Sequence, residues 1–153
     1  PYSKYIALVI FVVASLTDTL DGYIARKYKL VSNFGKFMDP LADKLLVSSA
    51  MICLVSLNRI PAWVVIVIIS REFIISGFRL VASDAGVVIA ASWWGKIKTV
   101  VQMIMVIVLI LSIHNPVVAV IEQILIYLAL VLTVVSLLDY LIKNWKVMDD
   151  GKM

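Results

Sequence analysis

Residues 4–57 read KYIALVIFVVASLTDTLDGYIARKYKLVSNFGKFMDPLADKLLVSSAMICLVSL. Two apolar runs, about 4–23 and 38–57, flank a short polar connection. Each has roughly the 20 residues that a helix needs to cross about 30 Å of hydrocarbon, so the stretch predicts a hairpin of two antiparallel membrane helices. Four carboxylates stand at its inner ends: Asp18 and Asp21, three apart, and Asp39 and Asp43, four apart. Either spacing puts a pair on one helix face, and the hairpin would bring both pairs to one membrane depth. Uncompensated acids at such a place are expensive and mark function by default. They need a cation, and donors that are all oxygen suit a hard one such as Mg2+, Mn2+ or Ca2+. A two-metal site is the natural arrangement for four such groups.

Outside the hairpin the pattern continues. The chain has 153 residues, of which 63% are hydrophobic and 16% charged, and its mean hydropathy is +1.04, far from a soluble domain. Further apolar runs at about 61–82, 92–113 and 117–142 bring the expectation to five spans in an all-α polytopic transmembrane bundle forming one domain over residues 1–153. No cleavable leader is expected, because the first run lacks a small-residue cleavage pattern and leads straight into the acids. Basic residues cluster near Arg26, Lys27, Lys29, Lys36 and Lys44, near Arg79, Lys96 and Lys98, and at Lys143, Lys146 and Lys152, whereas Lys4 and Arg59 stand alone on the other side. The positive-inside bias then places the acid cluster at the cytoplasmic face. The net charge of +4 follows from that topology and from attraction to anionic lipid, so nucleic acid is not an expected partner. Turns are expected at residues 58–61 and 114–116, with Pro61 suited to the first turn of a helix.

The residues between the acids suit a nucleotide phosphate. Gly22 and Gly35 allow a ligand close to the backbone, Ala25 keeps the same face small, and the Arg26 fork can meet a phosphate or ribose oxygen. The competing reading makes Gly22 and Ala25 helix-packing residues and Arg26 an interfacial anchor. A second constellation holds Arg71, Glu72, Arg79, Lys96 and Lys98. Arg71 falls midway along a span, where a cation demands a partner or a hydrated cavity. These cations are candidates for an anionic acceptor's phosphate; the alternative is that Glu72 pairs with one of them and the rest are anchors. Cys53 is expected to pack as a small hydrophobe, His114 to be solvated in a turn, and the tryptophans to sit in interfacial belts. Glu122 and Asp139 are open between helix contacts, dimer contacts and snorkelling.

The spacing D-x2-D-G-x2-A-R-x8-G-x3-D-x3-D, from Asp18 to Asp43, resembles the signature of the CDP-alcohol phosphotransferase family at every specified position. Residues 39–44 (DPLADK), 70–73 (SREF), 77–80 (GFRL) and 95–99 (GKIKT) resemble the bacterial phosphatidylglycerophosphate synthase branch of that family, so the resemblance covers most of the chain. It implies a six-helix membrane enzyme of the bacterial cell membrane, with five helices visible here and the family's first helix expected to be missing. It further implies two divalent ions, Mg2+ or Mn2+, held by Asp18, Asp21, Asp39 and Asp43, with Asp43 also the general base. Asp18, Asp21, Gly22, Ala25, Arg26 and Gly35 would then bind the CDP moiety of CDP-diacylglycerol, and glycerol 3-phosphate would be the acceptor, met by Arg71, Arg79, Lys96 and Lys98. Rival expectations are another acceptor (serine, inositol phosphate or phosphatidylglycerol), a cation transporter or channel, and a metal-stabilised bundle without catalysis. A homodimer is allowed.

Overall fold

The computed structural model describes residues 2–30 and 33–149, and side chains there except those of residues 33–40 and Met148. Five long helices follow one another: α1 Ser3–Lys27, α2 Asn33–Ser56, α3 Ala62–Asp84, α4 Trp93–Leu111 and α5 Pro116–Lys143, with a short α6 Trp145–Asp149. Among the described residues there is no strand. By length and composition α1, α4 and α5 qualify as membrane spans. At 24 and 23 residues, α2 and α3 would reach about 36 and 34 Å at 1.5 Å per residue, but both carry charges within that length. Among them are the site candidates Asp39 and Asp43 on α2 and Arg71, Glu72 and Arg79 on α3. The chain is an all-α integral membrane protein.

The helix boundaries have local causes. Lys29 takes a left-handed backbone (φ 53°), and the Leu30 amide donates to the Ala25 carbonyl at 2.9 Å, which closes the end of α1. Asn58 does the same after α2 (φ 57°), with the Arg59 amide donating to the Leu54 carbonyl at 2.9 Å. Pro61 is the residue just before α3, one position ahead of the expected first-turn site. Ser92 and Asn115 cap α4 and α5, their side chains accepting from the amides of Gly95 at 3.1 Å and Val117 at 2.9 Å.

α5 packs most extensively on α4 and then on α3; α2 touches α1, α3 and α4, and α1 also reaches α4. α3 and α4 barely approach each other along their backbones. The core is a band of large aliphatic side chains from α2 to α5, among them Met51, Val64, Ile68, Met105, Val106, Leu109, Ile126 and Ala129, with Phe11 as the buried contribution of α1. Apolar side chains also cover the outside, from Ile6, Val9 and Val13 on α1 to Ile124 and Leu138 on α5, the surface expected where the solvent is lipid. Cys53 belongs to this exposed set rather than to the interior, because the inward face of α2 is already filled by Val47, Met51 and Leu54. At the turn end of the bundle Arg59 donates to Glu122 at 2.7 Å. Glu122 is 6% exposed, so it is an internal contact between α5 and the turn after α2; Asp139 instead pairs with Lys143 one turn on at 3.0 Å.

Candidate active site

The inward stripe of each helix changes character at the same end of the bundle. On α2, Val47, Met51 and Leu54 are buried, and one turn earlier in the same register stands Asp43. On α3 the stripe Val64, Ile68, Ile75 and Ala82 is interrupted by buried Arg71. On α4 the register Leu109, Met105 and Gln102 ends at Lys98, and on α5 the register Ile126 and Ala129 continues as Thr133, Ser136 and Tyr140. Because the helices alternate in direction, the C-terminal halves of α3 and α5 meet the N-terminal halves of α2 and α4. Interior charge and hydroxyl groups therefore collect at one end, and the apolar band seals the other.

Where α3 and α4 stand apart, a cavity of ≈ 790 Å³ opens. Asp43, Lys44, Arg71, Arg79, Lys96 and Lys98 all line it, with Glu72, Gln102 and Tyr140. All four cations expected to meet an acceptor phosphate thus share one space with Asp43. Their engagement differs. Lys98, 1% exposed, donates to Glu72 Oε1 across the α3–α4 gap. Arg71, 9% exposed, donates from Nη1 to the same oxygen at 3.1 Å and from Nε to Ser136 Oγ at 3.0 Å. The Ser136 hydroxyl donates to the Thr133 carbonyl at 3.0 Å, which leaves its lone pairs for Arg71. Gly95 makes room for this arrangement: a Cβ there would lie 3.2 Å from Arg71 Nη2. Arg79 and Lys96 make no ion pair among the described residues. The Arg79 guanidinium sits 5.7 Å from the centre of the Tyr140 ring, which Phe78 holds edge-on at 5.5 Å, and Lys96 lies 5.0 Å from the Trp93 ring.

The acid motif lies next to this cavity. Asp18, Gly22 and Ala25 are half-buried on the side of α1 that carries Phe11. Asp21 and Arg26 are exposed, and Arg26 Nε folds back onto the Gly22 carbonyl at 3.1 Å. Asp18 and Asp43 lie close enough for their charges to interact, and Glu72, Lys44 and Lys98 also act on Asp43. The hairpin thus joins α1 to the cavity through Asp43. Gly35 and Asp39 lie outside the described side chains. Among the described residues no three His, Cys, Asp or Glu side chains gather tightly enough to hold an ion. The described acids of the motif, Asp18, Asp21 and Asp43, offer carboxylate oxygens, which fit a hard divalent cation.

Sequence reasoning did not single out Lys44, Ser76, Gln102, Ser136 or Tyr140, all of which take part in or border this site. A signal existed for the α5 pair: Thr133, Ser136 and Tyr140 recur at i, i+3 and i+7, one polar stripe on a helix otherwise rich in Leu, Val and Ile.

Known proteins match this chain over nearly its whole length. The profile of the family described as CDP-alcohol phosphatidyltransferase matches residues 1–135. The CDP-diacylglycerol–glycerol-3-phosphate 3-phosphatidyltransferase of Bacillus subtilis (strain 168) is 49% identical over 150 residues, covering 95% of this chain and 77% of the relative. The Haemophilus influenzae protein of the same name is 41% identical over 144 residues, covering 91% and 77%. A probable phosphatidylglycerophosphate synthase of Mycobacterium tuberculosis is 39% identical over 138 residues, covering 90% and 65%. With its acid motif, its helical membrane architecture and these matches, the chain belongs to the CDP-alcohol phosphatidyltransferase family.

Proposed function

We propose that this chain transfers the phosphatidyl group of CDP-diacylglycerol to glycerol 3-phosphate, forming phosphatidylglycerophosphate and releasing CMP. The observation that carries the reading is the joining of Asp43 and the cations Arg71, Arg79, Lys96 and Lys98 in one cavity, beside a helix that bears Asp18, Gly22 and Ala25 on its inward side. The names of the Bacillus subtilis and Haemophilus influenzae relatives support the same acceptor.

In this reading the acceptor's hydroxyl oxygen bonds to the phosphorus that carries the diacylglycerol. The bond from that phosphorus to the CMP oxygen breaks, CMP leaves with the electron pair, and the hydroxyl proton passes to Asp43. Members of the family generally depend on a divalent metal. Asp18, Asp21, Asp39 and Asp43 would hold two such ions, Mg2+ or Mn2+, which when bound supply charge stabilisation for the pyrophosphate oxygens. Gly22, Ala25, Arg26 and Gly35 form the CDP wall, where Arg26 must exchange its Gly22 contact for a ligand oxygen. The acyl chains stay in the bilayer, and the site opens to the cytoplasm according to the distribution of basic residues.

Of the four acceptor-site candidates, Arg79 and Lys96 make no ion pair among the described residues, and they receive the acceptor phosphate first. Arg79→Gln or Lys96→Gln should each raise the apparent requirement for glycerol 3-phosphate roughly 10- to 100-fold, the loss of one charge-assisted bond of about 1.5–3 kcal/mol. CDP-diacylglycerol binding should hardly change. Steady-state kinetics varying each substrate separately checks this, and a defect confined to the lipid substrate would return both residues to topology anchors. The reading as a whole is tested by supplying labelled CDP-diacylglycerol with glycerol 3-phosphate, serine, inositol phosphate or phosphatidylglycerol. With the label in the phosphatidyl group, a new labelled phospholipid should form with glycerol 3-phosphate alone; preferential transfer to another acceptor would overturn the assignment.

A further inference from the structure

Several residues around the cavity carry polar atoms that have no hydrogen-bond partner. Gln102 Oε1, Ser76 Oγ and Arg79 Nε are all buried and unpartnered, and all three residues line the cavity. Gln102 is the most enclosed of these at 5% exposure. It stands one turn from Lys98 on the same face of α4, on the side of the apolar band, and its Nε2 rests against Met51 Sδ at 3.8 Å. A buried amide with one end against Met51 and the other unpaired is a recurring cost to the fold. A methionine or leucine would fill the place without that cost. Gln102 borders the cavity, so a ligand held there is a partner within reach of the unpaired end, and the ligand chemistry that complements a neutral amide is a neutral hydroxyl.

We propose that Gln102 binds the non-reacting hydroxyl of the acceptor and so determines specificity for a phosphorylated vicinal diol over a simple hydroxyalkyl phosphate. The inference rests on the proposed transfer to glycerol 3-phosphate. With the acceptor's phosphate among Arg79 and Lys96 and its attacking oxygen at Asp43, the remaining hydroxyl of a three-carbon acceptor falls between them, inside the cavity that Gln102 also lines. A polar group built to pair with a substrate hydroxyl discriminates strongly against the analogue that lacks it, since that analogue leaves the buried group unpaired.

The test pairs a change in the enzyme with a change in the substrate. Glycerol 3-phosphate and 3-hydroxypropyl phosphate, which lacks the central hydroxyl, are compared as acceptors for the unaltered protein and for Gln102→Met, a near-isosteric replacement. The unaltered protein should use 3-hydroxypropyl phosphate with kcat/KM at least about tenfold lower. Gln102→Met should lose a similar factor with glycerol 3-phosphate while its kcat/KM for 3-hydroxypropyl phosphate stays within about twofold of the unaltered protein's. Equal use of the two acceptors by the unaltered protein overturns the proposal without reference to any variant, so a poorly folding Gln102→Met does not shelter it. An equal loss for both acceptors in a folded variant also overturns it, by making Gln102 a packing residue. If the unaltered protein transfers to neither acceptor but does transfer to serine or another alcohol, the function proposed above fails and takes this inference with it.

Discussion

Asp43→Asn should reduce turnover by at least about 10²- to 10⁴-fold, the usual contribution of a positioned general base, while leaving CDP-diacylglycerol binding largely intact. The separation follows from the fold. Asp43 continues the inward register of α2 into the cavity shared with the acceptor cations, whereas Gly22, Ala25 and Arg26, the proposed CDP wall, belong to α1. The substitution preserves shape and hydrogen-bonding size but removes the proton acceptor. Asp18→Asn should behave differently, weakening metal and nucleotide binding together, because Asp18 sits one turn from Gly22 on the half-buried side of α1. Single-turnover CMP release combined with direct binding of the CDP-lipid distinguishes the two. Equal, mild effects at both positions would contradict this division of labour.

The second large effect concerns stability. Glu72 Oε1 accepts from both Lys98 and Arg71, two cations that are almost wholly enclosed. Glu72→Ala would leave both without their carboxylate, and breaking a buried pair from one side costs about 3–5 kcal/mol. α3 and α4 have little other direct contact, so the loss should fall on their relative placement. Thermal unfolding in detergent should show a marked drop for Glu72→Ala and a partial recovery when Lys98→Met is added, because the second change removes the stranded charge. A double variant no more stable than Glu72→Ala alone would show that the pair contributes little to the bundle.

Much of this architecture was legible in the sequence because membrane helices announce themselves by length. Runs expected at about 61–82, 92–113 and 117–142 appear as Ala62–Asp84, Trp93–Leu111 and Pro116–Lys143. The hairpin differs more. α1 continues to Lys27 and α2 begins at Asn33, each extending past its apolar run, since hydropathy marks where lipid ends and not where backbone hydrogen bonding ends. Gly22 and Ala25 consequently lie within α1, with no side chain or a small one on its half-buried side. The acid motif was readable because carboxylates stand out against apolar neighbours. The Arg71–Glu72–Lys98 linkage was not, since the sequence leaves several cations as partners for one glutamate and only the packing of α3, α4 and α5 selects two of them. Gln102 and Ser136 were missed for a related reason. A single neutral polar residue in a long apolar helix is compatible with lipid, core or cavity, and its register relative to other helices decides which.

The proposed transfer requires that the α1–α2 hairpin form a divalent metal centre beside the cationic cavity. Mn2+ binding to the detergent-solubilised protein, followed by electron paramagnetic resonance with CDP-diacylglycerol present, measures this directly. The expected result is two Mn2+ per chain with a magnetically coupled signal, and loss of that signal in Asp18→Asn. Binding no greater than that of the Asp18→Asn variant, or a stoichiometric uncoupled signal unaffected by it, would contradict the account.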